Sequence, residues 1–338
     1  MTETLTNTKV MLPKAFEVKL ELADISVQPG ADEILVETQY SLISPGTELA
    51  LYTGTHIGLN DPANRFAKYP FYPGYAMVGK VIKTGSKAIP FAPGELIYGI
   101  GNHEQYGLLK WEPNKTALFR LPPQLDGKQA VFARLAAISV TALLRSRHRP
   151  GDTVVVLGLG LIGNLAAQLF SLSGCNVVGV DMVASRLECA KRCHISKVVQ
   201  PGKEHSLKEQ LRGLGCENPA IVVEATGVPQ LVNEALELVS EQGQVVVLGS
   251  PRGLVEMNVY QYIHSKGVSL TGAHERLQGK GGLPSRYVLT EQMLKLIDTG
   301  ALRIDPLITH VITADQAREG YELLLNQKDQ TLGVLFRW

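Results

Sequence analysis

Residues 154–163 read Val154-Val155-Val156-Leu157-Gly158-Leu159-Gly160-Leu161-Ile162-Gly163, an apolar run that passes into three spaced glycines. A β-branched run of this kind predicts a buried strand, and the glycine spacing predicts a tight turn that opens a helix. Each glycine has a separate task. Gly158 permits the turn, Gly160 lets backbone approach a pyrophosphate with no Cβ between them, and Gly163 lets the helix lie close on the strand. Phosphates then meet the free N–H groups of Leu161 and Ile162 at the helix N-terminus. The next apolar run, Asn176 to Val180, ends in Asp181, eighteen residues after Gly163. That is near the spacing of about 20 at which an acid accepts hydrogen bonds from a ribose. An aspartate there repels a 2′-phosphate, so NAD is the expected cofactor. Arg186 either packs beside the adenine or pairs at the surface. Thr226, Gly227, Gly249 and Ser250 close two later strand ends, where they border the nicotinamide half or form ordinary strand-to-helix turns.

Working outward, strand-type runs alternate with helical patterns from Pro150-Gly151 to about residue 284. Such βαβ alternation predicts a doubly wound parallel sheet, the Rossmann arrangement, over 134–284. Residues 16–107 have a different grammar, with short β-type runs separated by turns such as Gln28-Pro29-Gly30 and Ala92-Pro93-Gly94. They predict a β-rich, barrel-like domain over 1–133. A tail over 285–338 is too short for its own core and is assigned back to that first domain. The length of 338 residues exceeds the roughly 250 to 300 at which one core divides, so two domains sharing one cleft are expected.

Hydrophobic residues are 45% and charged residues 19%, with 33 Lys+Arg against 32 Asp+Glu and a formal charge of +1. There is no basic excess to follow a phosphate backbone, which argues against a nucleic-acid partner. The chain has no uninterrupted apolar run of transmembrane length and no signal-peptide pattern at its start. The expectation is therefore a cytoplasmic protein without a membrane partner. Cys175, Cys189, Cys193 and Cys216 form no Cys-x-x-Cys pair and read as reduced, structural thiols, Cys189, Cys193 and His194 included.

Three further stretches carry a family resemblance over essentially the whole chain: Pro45-Gly46-Thr47-Glu48-Leu49, Tyr72-Pro73-Gly74-Tyr75-Ala76-Met77-Val78-Gly79 and Arg149-Pro150-Gly151-Asp152-Thr153-Val154. With the glycine turn, they make the chain resemble the medium-chain dehydrogenase/reductase (MDR) superfamily. That resemblance implies an α/β protein with a GroES-like β-barrel catalytic domain, a Rossmann NAD-binding domain and pairing as a homodimer. Zinc-dependent members look like Cys-Gly-Thr-Asp in the first stretch and Gly-His-Glu in the second, with a third ligand near a Glu-Pro-Leu segment. Here Pro45, Tyr75, Ala76 and Ala133-Arg134-Leu135 stand in those places, and Gly101 to Trp111 holds no cysteine for a second zinc. The expectation is no metal. The run Ser41-Leu42-Ile43-Ser44-Pro45-Gly46-Thr47-Glu48 is most similar to the branch with bacteriochlorophyllide and sugar dehydrogenases.

Oxidising an alcohol without zinc needs a hydride acceptor, a base and a group that steadies the developing oxyanion. Tyr75, Thr47 and His103 are the candidate catalytic residues, and Tyr75 needs a cationic neighbour to act as a base because a free phenol titrates near 10. Glu48, His274 and Arg276 are candidates for contacting a polar small-molecule substrate. Together these features predict a zinc-independent, NAD-dependent dehydrogenase acting on a secondary alcohol of a sugar, glycoside or cyclitol. Two alternatives stay open: an NAD(P)H-dependent reductase of quinones or activated alkenes, and a non-catalytic cofactor-binding protein.

Overall fold

The computed structural model describes residues 3–87, 90–202 and 204–338. Their contacts divide into two compact units: Met1–Arg134 with Arg286–Thr299 and Ile308–Trp338, and Leu135–Ser285 with Gly300–Leu307.

In the first unit, β1 (Thr4–Met11) and β2 (Lys19–Ser26) form an antiparallel ribbon. The threonine-rich start is thus a strand, because β-branched Thr4, Thr6 and Thr8 suit extended backbone. Next come β3 (Glu33–Leu42), α1 (Pro45–Tyr52), β4 (Met77–Thr84), β5 (Leu96–Gly99), β6 (Tyr106–Lys110) and β7 (Phe119–Arg120). Strand β3 organises the sheet: β4 pairs along one edge, and β6 takes the first part of the other. Ile34 and Val36 of β3 pack with Met77, Val81, Ile97 and Leu109 in one apolar cluster. Helix α1 occupies what the sequence presents as a Pro-Gly turn. Proline at its first position has φ already suited to a helix, and Ser44 stands at the N-cap.

Helices α2 (Gly127–Ala130) and α3 (Ala133–Arg145) end this segment. The helical stretch 127–145 is apolar and long enough to cross a membrane by composition, yet 72% of its apolar window is buried in the protein. It is a core helix.

The second unit holds β8 (Thr153–Leu157), α4 (Leu161–Leu172), β9 (Asn176–Val180), α5 (Ala184–Arg192), β10 (Lys197–Val199), α6 (Leu207–Gly213), β11 (Ile221–Glu224), α7 (Leu231–Leu238), β12 (Gln244–Val247) and β13 (Ser269–Gly272). All pairings are parallel, and the order is β10-β9-β8-β11-β12-β13. The order reverses between β8 and β11, and doubly wound sheets bind ligands outside the strand ends at such a point. Alternation along β8 sends Val154 and Val156 into one apolar cluster and Val155 and Leu157 into another. Both faces are therefore buried, as a continuous apolar run requires.

The chain then returns through α8 (Arg286–Asp298), β14 (Ile308–Thr313), α9 (Ala317–Asn326) and β15 (Gly333–Arg337). The capping box of Thr313 and Gln316 is formed at the 3₁₀ turn before α9. Strand β15 pairs parallel with β14 and antiparallel with the second part of β3. Among the described residues the strand order is β14-β15-β3-β4-β5-β7, with β6 beside β3. The tail is also shared between the units. Residues 300–307 join the second because Gln168 exchanges two hydrogen bonds with the Arg303 backbone, at 2.7 and 3.1 Å, and the Cys189 thiol donates to the Pro306 carbonyl at 3.2 Å.

A Cβ at Gly163 would fall far inside contact distance of the Gly158 carbonyl oxygen and press on Ala225. Gly163→Ala should therefore lower the unfolding free energy by about 2 kcal/mol, with an earlier urea midpoint as the readout.

Candidate functional site

The turn between β8 and α4 is built by three glycines under different constraints. Gly158 has φ +90, a region that favours glycine, and its Cβ would strike Thr226. Gly163 is required by the close approach of helix to strand. Gly160 is required by neither. Its φ is −60 and its Cβ would have nothing within 4 Å. Its place at the N-cap of α4, where glycine is among the favoured residues, is the one reason the fold gives for it. It is a cradle that a side chain would fill, at the N-cap of a twelve-residue helix whose first N–H groups, those of Leu161 and Ile162, have no intrahelical partner.

Asp181 follows β9 and is 8% exposed. Its carboxylate accepts from the Leu159 N–H at 2.7 Å and the Val183 N–H at 2.9 Å, with an Arg186 guanidinium nitrogen 3.6 Å away. The acid therefore ties the glycine turn to the start of α5. Arg186 pairs with it, which is the ion-pair alternative read from the sequence. A carboxylate offers about four lone-pair sites, so accepting a ribose hydroxyl remains compatible with these bonds.

Beside this turn, the fully buried Glu224 ends β11. Its Oε1 accepts from the Thr226 N–H at 2.6 Å, from the Gly227 N–H at 3.0 Å and from the Thr226 hydroxyl. Its Oε2 has no hydrogen-bond partner and lies where a Cβ on Gly249 would stand. Burial pushes this carboxyl above its usual range, against the bonds from Thr226 and Gly227. Thr226 and Ser250 are exposed, and Gly227 packs against the Ser250 backbone. His274 and Arg276 lie just beyond β13 and are exposed, with His274 Nδ1 accepting the Arg276 N–H at 3.1 Å. That bond caps a short 3₁₀ turn.

In the first unit, the Tyr75 phenol donates to the Ser44 hydroxyl. The Arg134 guanidinium lies over the Tyr75 ring, 5.4 Å from its centroid. Thr47 is half-buried on the first turn of α1, three residues from Ser44. A phenol, two hydroxyls and a permanent cation are thus gathered around one helix N-terminus.

Beneath them runs a second network. The Glu48 carboxylate accepts from the Ser44 N–H at 2.8 Å, the Tyr321 hydroxyl at 2.8 Å and His103 Nε2 at 3.0 Å. The donors follow in order: Trp338 Nε1–H to the Ser41 hydroxyl at 3.0 Å, and Ser41 to His103 Nδ1 at 2.8 Å. Nε2–H is then left to face Glu48. Tyr321 keeps its proton, because burial first and the Glu48 charge second hold its phenol well above the usual range. Two expected site residues lie in this network: His103 is wholly buried with both ring nitrogens engaged, and Glu48 is 1% exposed. Both hold the start of α1, Glu48 through the Ser44 N–H and His103 through Glu48.

Sequence reasoning missed Ser44, Arg134, Tyr321 and Glu224 as site-building residues. Arg134 carried a signal: it is the lone charge in the apolar run Ala130-Val131-Phe132-Ala133-Arg134-Leu135-Ala136-Ala137.

Residues 162–282 match the zinc-binding dehydrogenase family. The chain is 26% identical over 273 residues to D-guloside 3-dehydrogenase of Shigella flexneri, covering 79% of this chain and 78% of that protein. It is 24% identical over 326 residues to L-threonine 3-dehydrogenase of Burkholderia ambifaria, covering 88% and 90%. L-Idonate 5-dehydrogenase of Escherichia coli has the same fold, with TM-score 0.83 at 17% identity over 100% and 99% of the two chains. The chain is thus similar to zinc-type alcohol dehydrogenases in sequence and shares their fold.

The residues of this dehydrogenase-like chain do not fit the zinc in that family's description. Among the described residues, no group of three or more His, Cys, Asp or Glu side chains could hold a metal ion. All four cysteines are buried in the α/β unit, between residues 175 and 216. A nicotinamide dinucleotide does fit, on the evidence of the Gly160 cradle.

Two outcomes follow for the dehydrogenase-like chain. Gly160→Val, at the N-cap of α4, should lower the unfolding free energy by only about 1 kcal/mol, while fluorescence titration shows reduced dinucleotide bound at least about tenfold more weakly. Glu224 holds its proton more tightly folded than unfolded, so its stabilisation is complete below the unfolded value of 4.5 and is lost as pH rises through the raised folded value. Urea unfolding across that window should show wild type losing stability relative to Glu224→Gln.

Proposed function

We propose that this protein is a zinc-independent, NAD-dependent dehydrogenase that interconverts a secondary alcohol and a ketone on a sugar, glycoside or cyclitol. The observation that carries the reading is the convergence of Tyr75, Ser44 and Arg134. By the resemblance, these residues stand at or beside the three places where zinc-dependent members carry ligands. A bound oxidised nicotinamide supplies the hydride acceptor for the carbinol carbon. Tyr75 takes the hydroxyl proton as the carbonyl forms, and Thr47 steadies the oxygen by hydrogen bonding. Glu48 and His103 hold the helix that presents Ser44 and Thr47. Asp181 supports NAD over NADP through its negative charge, although a Sinorhizobium meliloti relative of the same fold is bound to NADP.

A polyol substrate is supported by the guloside and idonate dehydrogenases among the relatives and by hydroxyl-rich surroundings at α1. A cytoplasmic location, expected from the sequence pattern, and a homodimer, implied by the family resemblance, belong to the same proposal.

Reduced-nicotinamide absorbance, followed with NAD and separately NADP in excess EDTA, over sugars, methyl glycosides, inositols and simple alcohols, tests the proposal. One polyol class should turn over with NAD, unaffected by the chelator, and Tyr75→Phe should lower kcat at least about a hundredfold. Activity abolished by EDTA, or turnover of quinones alone, would overturn it.

A further inference from the structure

We propose that Arg134 is a positioning residue acting through Tyr75: its guanidinium, held over the ring, favours the phenolate and sets the pH range in which Tyr75 accepts the substrate's proton. The proposal rests on Tyr75 being the base of the reading above.

The geometry comes first. Arg134 is 4% exposed and its guanidinium carbon is 5.4 Å from the Tyr75 ring centroid. Guanidinium is charged at every pH a protein survives, and burial limits the screening that water would provide. A neutral phenol offers this cation only the ring quadrupole, worth about 0.5 to 2 kcal/mol. A phenolate offers a full opposite charge at similar distance. The cation therefore favours the ionised ring over the neutral one. Nor is an arginine placed there for packing alone: an apolar residue would suit the surrounding run of 130–137 without a buried charge.

Ser44 completes the arrangement. Its hydroxyl accepts from the neutral phenol, and a hydroxyl can turn to donate once the phenol has lost its proton. Both protonation states of Tyr75 keep a partner, so proton transfer requires no rearrangement of backbone.

Other charged and titratable groups among the described residues bear on this cluster. From α1, Glu48 opposes a phenolate, and the bonds it accepts from Ser44 N–H, Tyr321 and His103 orient its carboxylate without removing that opposition. His103 stacks its backbone under Gly74 and faces Glu48 with its ring. From β5, Tyr98 also feels Arg134, with Arg286 of α8 behind it, yet complete burial holds its phenol far above the usual range. Tyr98 therefore stays protonated while Tyr75 changes state. Arg134 is the cation placed on the Tyr75 ring face.

The step balances without further reagents. The substrate O–H proton passes to the Tyr75 oxygen, the C–H hydride passes to oxidised nicotinamide, and the electron pair of the O–H bond forms the carbonyl π bond.

The test reads the phenol directly. The near-ultraviolet phenolate band is titrated against pH in wild type and in Arg134→Gln, each referenced to the same protein carrying Tyr75→Phe, so that one phenol is isolated. The Tyr75 midpoint should rise by about one pH unit or more in Arg134→Gln, and Arg134→Lys should recover at least half of that rise. An unmoved midpoint in folded Arg134→Gln overturns the proposal. Where Arg134→Gln does not fold, Arg134→Met replaces it, and collapse of every neutral variant makes Arg134 a structural residue and likewise overturns the proposal. The titration needs no turnover, so a failed search for a polyol substrate leaves it intact. With a substrate in hand, the acid limb of kcat should move upward by the same amount while KM changes less than about threefold.

Discussion

A buried acceptor left without donors is costly, so a buried carboxyl needs partners on its oxygens. Glu48 finds them in Ser44 beside it and in two distant parts of the chain, His103 after β5 and Tyr321 on α9. Losing one of these donors would leave a buried acceptor short, at a cost of about 1–3 kcal/mol. The position of α1 follows from this one group, and so do the Ser44 hydroxyl and the phenol that rests on it. The residues at the start of α1 are therefore held by a network buried beneath them. Phe336 adds to this by packing edge-on against the His103 ring, with centroids 4.8 Å apart.

The α/β unit was legible in the sequence because its signals are local. The run Val154 to Leu157 and the glycine spacing after it specify strand, turn and helix within ten residues, and Asp181 lies one strand away. The first unit was harder to read because its information is spread over the chain. Nothing near Glu48 announces Tyr321, and nothing near Tyr75 announces Arg134. The Ser44-Pro45-Gly46 run has the composition of a turn but starts a helix, since proline at the first helical position needs no N–H partner. His103 showed how a titratable loop residue can mislead. In composition it is an available base, and in the fold it is a fully enclosed donor.

The glycine turn and the cluster at α1 also divide two kinds of constraint that sequence alone merges. Gly158 and Gly163 answer to the chain's own packing, whereas Gly160 stands in open space at the N-cap of a helix. In the same way, Glu48 is enclosed by its donors, whereas the Tyr75 ring lies under a guanidinium.

The first unit is discontinuous, and that has a consequence for how the protein comes to exist. Strand β15 and helix α9, late in the chain, complete the sheet at β3 and bring Tyr321 to Glu48. During synthesis the α/β unit, which ends with residues 300–307, has its whole sequence before either of them is made. A nascent chain can thus complete the glycine turn well before the Glu48 network gains Tyr321, and an interrupted chain would carry a finished parallel sheet beside an unfinished mixed one.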